Sequence, residues 1–252
     1  MQQSEWKPLA LARKPVQGLL ELVYPPACQL CSLGLPAGSV EAFCADCLKQ
    51  LQLLRMPCCP RCAASFPSIS PLATNCPHCQ NENYAFEQVI AWGAYDKALQ
   101  QTILRIKQQE QEQLAFHAGK LLGQLFREVL TSIAIDTVIP VPLHWSRRLW
   151  RGYNQSVTIA QAIGRVLQLP CQPNWLFRKL STPMQASVTP TQRRRNLQQA
   201  MVARLPGSAK GSHLLIVDDV VTTGATADAC SRALLTAGAG KVTVLALARA
   251  VG

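Results

Sequence analysis

Apolar residues follow two different rhythms along the second half of the chain. Short runs rich in Val, Leu and Ile predict buried strands, and these runs are AFEQVIAWGAY, DTVIPVP, HLLIVD and KVTVLALAR. Between them, apolar positions recur at helical spacing, which predicts amphipathic helices over DKALQQTILRIKQ, LAFHAGKLLGQLFREVL, NQSVTIAQAIGRVLQL and TADACSRALLTAGA. Because apolar strands alternate with helices, we predict an α/β domain with a parallel sheet that is covered on both faces.

The first third of the chain has another organisation. Apolar residues in VQGLLELVYPP line one helical face, and two prolines end that pattern. Closely spaced cysteine pairs follow, and the composition changes near Tyr84, where the alternating strands and helices begin. We therefore expect an N-terminal helix in residues 1–24, a small cysteine-rich domain in residues 25–83 and the α/β domain in residues 84–252.

Eight of the eleven cysteines occur in four Cys-x2-Cys pairs, arranged as two near-copies. Each pair places two thiolates on one turn, and two pairs complete a tetrahedral zinc site, whose binding energy would hold together a segment with so small a core. Regular spacing argues against the alternative that these are only small buried residues. Sequential pairing is the simplest arrangement, while interleaved pairing, or a copy that has lost its metal, stays open. The predicted ligands of two structural zinc ions are Cys28, Cys31, Cys44, Cys47, Cys59, Cys62, Cys76 and Cys79.

Basic residues are concentrated in one block. The chain carries 25 Lys and Arg against 14 Asp and Glu, and residues 137–217 hold eleven of those cations and no acid. A solvated face usually mixes both signs, so the block predicts a surface for a polyanion such as phosphate, pyrophosphate or nucleic acid. Aromatic residues interleaved with the cations favour single-stranded DNA, whose bases stack on rings. The DNA-binding candidates are Trp150, Tyr153, Arg193, Arg194 and Arg195.

No stretch has the continuous apolar run of a signal peptide or a membrane-spanning helix. We therefore expect a cytoplasmic protein without stable membrane insertion, and a peripheral place at the inner membrane stays open. In a reducing compartment the cysteines would be thiols, which again favours metal binding over disulfides.

The sequence HLLIVDDVVTTGAT places two carboxylates and a loop of small residues at the carboxyl end of a predicted strand, where ligands of parallel sheets bind. Asp218 and Asp219 could accept hydrogen bonds from two neighbouring ribose hydroxyls or help to bind a magnesium ion. The small loop and the following helix N-terminus suit a phosphate. We predict a ribose 5-phosphate site rather than a merely capped turn. The phosphate-binding candidates are Thr222, Thr223, Gly224, Ala225 and Thr226.

The stretch LLIVDDVVTTGAT resembles the phosphoribosyl-pyrophosphate (PRPP) signature of type I phosphoribosyltransferases. The resemblance implies a phosphoribosyltransferase-like domain in which the two acids bind the ribose hydroxyls and the loop binds the 5′-phosphate, with magnesium and PRPP as ligands. Cations after the VIPVP strand would then face the pyrophosphate, which suits the fork geometry of arginine. The candidates for pyrophosphate or the DNA backbone are Arg147, Arg148 and Arg151, with Lys107 as a further one.

A second resemblance covers nearly the whole chain. Paired cysteines, IPVPLHWSRRLWRGYNQS, TPMQASVTPTQRRRNLQQAM and the PRPP signature follow one another as in ComF-family competence proteins, and GntX-type proteins share this layout. The resemblance implies a double zinc ribbon joined to a phosphoribosyltransferase-like domain, with a part in natural transformation. Two positions depart from the family pattern, since Tyr153 stands where Phe is usual and Val188 stands where Leu is usual.

One functional hypothesis and two alternatives follow. The hypothesis is an accessory protein for natural transformation that binds incoming single-stranded DNA and carries a PRPP pocket, with a competence helicase or recombination proteins as further partners. The first alternative is an active, magnesium-dependent phosphoribosyltransferase, which needs no dedicated nucleophile but whose acceptor no sequence feature identifies. The second alternative is a pure interaction module, in which the zinc ribbons dock a helicase-like partner.

Overall fold

The computed structural model describes residues 25–36, 39, 42–52, 58–65, 76–143, 151–179 and 190–250. The helix predicted in residues 1–24 lies outside these residues, as do Arg147, Arg148, Trp150 and the side chain of Arg193. The chain divides into two units, Met1–Gln50 and Leu51–Gly252. The second unit contains the α/β domain together with the second group of cysteines.

A parallel sheet of four strands forms the centre of the larger unit. The described strands are β1 (Gln88–Ala94), β2 (Thr137–Pro140), β3 (Leu176–Arg178), β4 (Met201–Ala203), β5 (His213–Val221) and β6 (Lys241–Arg249). The sheet order is β1-β6-β5-β2 with every neighbouring pair parallel, and β3 and β4 form a separate antiparallel pair. The carboxyl ends of the four sheet strands therefore meet at one edge.

Helices accompany these strands on both faces of the sheet. The described α-helices are α1 (Ala45–Gln52), α2 (Lys97–Ile106), α3 (Glu112–Leu125), α4 (Arg127–Ser132), α5 (Gln155–Leu167), α6 (Pro190–Ala200) and α7 (Ala225–Thr236). Eight consecutive residues of β6 are buried, which requires cover on both faces. The predicted α/β fold class, preceded by a cysteine-rich segment, is confirmed. Among the described residues, no helix is long and apolar enough to cross a membrane.

The first turn of α5 is held at the carboxyl end of β2 by close packing and by a cap. A Cβ atom on Gly119 of α3 would lie 2.6 Å from the carbonyl oxygen of Ile159, so glycine lets α3 approach α5. The Asn154 side chain accepts a hydrogen bond from the Ser156 amide at 3.1 Å and donates one to the Val141 carbonyl, also at 3.1 Å. The cap thus ties α5 to the segment that follows β2.

Three elements differ from the sequence prediction. The helix predicted over LAFHAGKLLGQLFREVL is two helices, α3 and α4, because Phe126 between them departs from helical dihedral angles. The strand β5 does not end at the acidic pair but runs to Val221, since Val220 and Val221 continue the pairing with β6. Sequence reasoning did not find β3, β4 or α6, because the two strands are only three residues long and PTQRRRNLQQA has no apolar stripe.

Candidate functional site

Asp218 and Asp219 lie in β5 near the carboxyl edge of the sheet. β2 pairs with β5 as far as Pro140, which lies opposite Val217, so the acidic pair begins directly beyond the last paired residue of β2. On the other side, β5 stays paired with β6 as far as Val221. A rigid strand therefore holds both acids where β2 has already ended.

Two helix ends converge on Asp219, which is only 6% exposed. Gln155, the first residue of α5, donates a hydrogen bond of 2.7 Å from Nε2 to Oδ2. The Lys107 ammonium, just after α2, lies 3.4 Å from the same oxygen. Sequence analysis offered Lys107 for pyrophosphate or DNA, and the structure gives it Asp219 as an ion partner. The charge of a nearly buried carboxylate is thereby balanced.

Asp218 accepts two hydrogen bonds, both at Oδ1. The Ser156 hydroxyl donates at 3.4 Å and the Asp219 amide donates at 2.8 Å. Enclosure of the carboxylate raises the pKa of Asp218 to about 8, and the negative charge of Asp219 adds to this rise.

Each acid uses one oxygen for the protein and leaves its other oxygen available. Within the described residues, the side-chain contacts of Asp218 go to Oδ1 and those of Asp219 go to Oδ2. Asp218 Oδ2 and Asp219 Oδ1 can therefore accept hydrogen bonds from two neighbouring hydroxyls. They are also the hard oxygen ligands that magnesium prefers. The donor set fits both a ribose diol and a magnesium ion.

The loop of residues 222–226 leaves β5 and enters α7. Thr222 and Thr223 are exposed, whereas Gly224 is buried beneath the Tyr84 ring. Gly224 has φ +77°, and a Cβ atom there would lie 3.2 Å from that ring, so both the backbone and the space require glycine. Because α7 begins at Ala225, its N-terminal amides and positive dipole end lie at this loop.

Two side chains donate hydrogen bonds to backbone carbonyls at or next to this loop and hold it in place. The Tyr84 hydroxyl donates a hydrogen bond of 2.9 Å to the Thr223 carbonyl. Burial, with a further contribution from the Glu82 charge, raises the pKa of Tyr84 to about 12, so this hydroxyl remains a donor. Arg249 donates to the carbonyls of Val221, at 3.1 Å, and Thr222.

Two candidates from the basic block lie beside the acidic pair. Arg151 donates a hydrogen bond of 3.3 Å to Gln155 Oε1, and Gln155 in turn donates to Asp219. The Tyr153 hydroxyl donates to the Ile106 carbonyl next to Lys107. Burial, reinforced by the charge of Glu112, raises the pKa of Tyr153 to about 12. Arg151 and Tyr153 therefore help to position the groups that hold Asp219.

The arginines of α6 are placed differently from one another. Arg194 forms a two-pronged ion pair with Glu82, with N–O distances of 2.5 and 2.9 Å. Arg195 is exposed. Gln198, one turn beyond Arg194, donates to Asp228 of α7 at 3.3 Å. One side of α6 is thus bound to the rest of the domain, and Arg195 remains accessible to an outside partner.

The eight paired cysteines form two clusters, and neighbouring pairs come together as the simplest arrangement predicted. The first cluster contains Cys28, Cys31, Cys44 and Cys47, and the second contains Cys59, Cys62, Cys76 and Cys79. Sulfur atoms of Cys31 and Cys44 are 3.6 Å apart, and those of Cys62 and Cys76 are 3.7 Å apart. A tetrahedron with Zn–S bonds of about 2.3 Å has edges of about 3.8 Å, whereas a disulfide needs about 2.05 Å. Both clusters therefore fit structural zinc.

Sequence reasoning missed four residues of the site: Gln155, Ser156, Tyr84 and Arg249. The first two follow a helix cap, and nothing local indicates that their side chains reach β5. A signal did exist for Arg249, because it ends an otherwise apolar buried strand, where a cation needs partners. Tyr84 carried no such signal, since its partner lies 139 residues away in the chain.

We predict that Cys44→Ser lowers the zinc content from two ions to one and destabilises the N-terminal unit, while the α/β domain stays folded, because each cluster supplies a full set of four thiolates. Elemental analysis and near-ultraviolet circular dichroism measure the two effects. Cys58→Ser is the matched control, since this exposed cysteine belongs to neither cluster, and it should keep two ions. Wild-type protein without zinc and with its thiols paired as disulfides would contradict the prediction.

We predict that Asp218→Asn stabilises the protein more at high pH than at low pH. Since the pKa rises from 3.8 unfolded to about 8 folded, the folded state binds this proton more tightly, and the resulting stability is lost as pH rises between these values. Asparagine resembles the protonated acid and does not titrate. The Tm difference between variant and wild type, measured by thermal denaturation, should therefore grow from about pH 4 to about pH 8. A difference that does not change over this range would exclude the raised pKa.

Comparison with known proteins gives three kinds of match. A double zinc ribbon domain family matches residues 19–80. Solved structures similar to this chain include a purine phosphoribosyltransferase from Pyrococcus horikoshii, with 18% identity, a TM-score of 0.36 and coverage of 54% of this chain and 73% of that chain. An adenine phosphoribosyltransferase matches with 16% identity, a TM-score of 0.34 and coverage of 54% and 70%.

Curated relatives match over almost the full length. DNA utilization protein YhgH of Salmonella typhimurium is 32% identical, and the match covers 90% of this chain and 99% of that protein. Competence protein F of Haemophilus influenzae is 29% identical, with coverage of 83% and 91%. Competence protein ComFC of Bacillus subtilis is 23% identical, with coverage of 79% and 80%. Such identity over almost the whole of both chains, together with the paired cysteines and the acidic strand, means that this protein belongs to the ComF family.

Proposed function

We propose that this protein is an accessory factor for natural transformation, which binds incoming single-stranded DNA in the cytoplasm and holds the phosphoribosyl group of PRPP at the carboxyl edge of its sheet. Relatives named for competence and for DNA utilization support the biological part of this proposal. One observation carries the chemical part: within the described residues, the contacts of Asp218 and Asp219 leave one oxygen of each acid for a ligand, and both acids lie just before the loop of residues 222–226, the phosphate loop.

The acidic pair would bind the sugar. A ribose presents two neighbouring hydroxyls, and each can donate to one available carboxylate oxygen. Gln155 and Ser156 hold the opposite oxygens, so the carboxylates keep their orientation without the ligand. Lys107 offsets the charge of Asp219 and so lowers the cost of keeping a buried carboxylate ready.

The loop of residues 222–226 would bind the 5′-phosphate through its backbone amides, its threonine hydroxyls and the N-terminus of α7. Of the three arginines proposed for the pyrophosphate, Arg151 lies among the described residues, and it donates to Gln155 beside Asp219. Magnesium, held with PRPP at Asp218 and Asp219, would supply positive charge to the phosphate oxygens.

The DNA surface would use cations that pair with no acid among the residues the structure describes. Arg195 is exposed on α6. Arg204 lies over the Phe177 ring, with 5.4 Å between the guanidinium carbon and the ring centroid. A ring beside a cation suits a stacked base next to a backbone phosphate. Arg194 is the weaker candidate for this role, because Glu82 already binds its fork.

A magnesium-dependent phosphoribosyltransferase is the second candidate, and a cavity at the carboxyl end of β2 favours it. The cavity has a volume of about 650 Å³, and its walls include Pro140, Tyr153, Asn154 and Phe177. An acceptor with a flat ring could lie against these aromatic walls. Incubation with PRPP, magnesium and a panel of bases and oligonucleotides decides between the candidates, since release of pyrophosphate that depends on one acceptor identifies a transferase.

We predict that Asp218→Ala combined with Asp219→Ala weakens PRPP binding at least tenfold, because each lost charge-assisted hydrogen bond contributes about 1.5–3 kcal/mol. Isothermal titration calorimetry in the presence of magnesium measures the change. Asp136→Ala is the matched control: this exposed acid precedes β2 at the opposite edge of the sheet and accepts a hydrogen bond from the His213 amide at 2.7 Å. Equal affinity in the double variant and the control would assign the acidic pair to the strand-to-helix turn instead.

We predict that single-stranded DNA binds with little sequence preference and with an affinity that falls steeply with salt, with a log–log slope of roughly −0.7 per phosphate neutralised. Replacing Arg193, Arg194 and Arg195 by Ala should flatten the slope. Single variants sharpen the test, because Arg195→Ala should flatten it more than Arg194→Ala, whose partner is Glu82. Arg195→Lys retains the charge and should retain the slope.

Fluorescence anisotropy over a range of salt concentrations measures these slopes. Saturating PRPP should compete with DNA only if both ligands use the region around Arg151. Wild-type protein without salt-sensitive DNA binding would mean that the basic block serves the pyrophosphate alone, and the transferase would then be the better assignment.

A further inference from the structure

Arg249 carries a buried charge whose hydrogen bonds go to backbone carbonyls. The residue ends β6 and is 4% exposed. Its Nε donates to the Cys62 carbonyl at 2.8 Å, and its NH1 group donates to Val221, at 3.1 Å, and to Thr222 and Ala250. A buried guanidinium needs several acceptors to offset its loss of hydration. These acceptors join a turn of the second cysteine cluster to the phosphate loop.

The bond to Thr222 sets the direction of a neighbouring amide. A trans peptide unit is planar, so its carbonyl and its N–H point in opposite directions. When Arg249 holds the Thr222 carbonyl, the amide of Thr223 must point away from Arg249. The Tyr84 hydroxyl holds the Thr223 carbonyl in the same way and turns the Gly224 amide away from the ring. The two side chains therefore aim two successive amides of the phosphate loop.

Both side chains also contact the second cysteine cluster. Arg249 holds the carbonyl of Cys62 itself. Arg61, which lies between Cys59 and Cys62, stands over the Tyr84 ring with its guanidinium carbon 5.7 Å from the centroid, and donates at 3.3 Å to the Cys79 carbonyl. The turn and the loop are thus connected through two routes, one by Arg249 and one by Arg61 and Tyr84.

We expect the metal to fix the shape of that turn. Backbone hydrogen bonds contribute to it, such as the one from the Ala63 amide to the Cys59 carbonyl at 2.9 Å. Four thiolates around one ion would hold it more firmly, because the mutual hydrogen bonds between the thiols are weak, such as the 3.8 Å contact between Cys59 and Cys79. Short metal-bound segments generally owe their folded shape to the ion. The Cys62 carbonyl therefore has a defined place for Arg249 when the cluster is filled.

We propose that Arg249 and Tyr84 are positioning residues that couple the second cysteine cluster to the phosphate loop, so that zinc in this cluster aligns the loop amides for a phosphate. The inference rests on the proposed phosphate-binding function of residues 222–226. Zinc in the second cluster then supports ligand binding in addition to folding. The proposal concerns the second cluster, whose turn supplies the Cys62 carbonyl to Arg249.

Hydrogen–deuterium exchange of the full chain tests the coupling without any ligand. Cys79→Ser and Cys47→Ser remove the last thiolate of the second and first clusters respectively, and each should lose one zinc ion by elemental analysis. Of these two cysteine variants, only Cys79→Ser should speed the exchange of residues 222–226. Tyr84→Phe should keep both ions and speed this exchange roughly threefold to tenfold, as expected for one lost hydrogen bond. Amides of β6 serve as the internal check that the domain remains folded.

PRPP affinity gives the second readout. Tyr84→Phe and Arg249→Lys should weaken binding by a similar factor, since lysine keeps the charge but lacks the fork that reaches several carbonyls. Arg127→Lys is the matched control, since this exposed arginine also donates to a backbone carbonyl, that of Val166 at 2.7 Å, away from the loop. If the amides of residues 222–226 exchange as slowly in Cys79→Ser and Tyr84→Phe as in wild type, the coupling is refuted. If wild type binds no PRPP, the proposed function fails, and the exchange data still decide the coupling.

Discussion

Parallel pairing between β5 and β6 places the acidic pair and Arg249 at one edge of the sheet. The register places Val221 opposite Arg249, so a guanidinium at the end of one strand reaches carbonyls at the end of the other. It also holds Asp218 and Asp219 in a strand that has already lost β2 as a neighbour. A slip of one residue would exchange the two faces of β5 and carry Asp219 away from Gln155, because side chains alternate along a strand.

The interior charges of the domain are stabilised in two ways. Asp219 has a counter-charge in Lys107 and a hydrogen-bond donor in Gln155, which suits a group that must remain available on its other oxygen. Arg249 instead gathers carbonyl oxygens from separate segments of the chain. In the proposed site, the first arrangement would keep a carboxylate ready for a ligand, and the second would fix the backbone around it. Removing either set would leave a buried charge without partners, which is costly.

The basic block of the sequence is not a uniform basic surface in the fold. Arg194 is bound to Glu82, which lies outside the block in the chain. Arg151 is directed toward Gln155, and Arg204 lies over a ring. Acids that are distant in sequence can therefore cancel part of a charge run once the chain folds. The charge pattern along the chain indicates the kind of partner, whereas the folded structure decides which basic side chains remain accessible to that partner.

Local patterns in the sequence were sufficient for the alternating strands and helices, the four cysteine pairs, and the acidic pair followed by a small-residue loop. Each of these depends on neighbours in the chain: apolar periodicity for the elements, ligand spacing for the metal, and a glycine at a positive φ for the loop. Short segments such as β3, β4 and α6 were missed because three residues, or a helix without an apolar stripe, carry no periodic signal.

Only the tertiary structure decided which side chains meet the site. Gln155 reaches Asp219 across 64 positions of the chain, and Tyr84 reaches Thr223 across 139. Arg249 joins the second cysteine cluster to the loop across 187 positions. Such contacts follow from the order β1-β6-β5-β2 and from the packing of α5 on α3, which bring distant segments together. Residue spacing cannot predict them, because a hydrogen bond depends on distance in space and leaves no periodic trace in the chain.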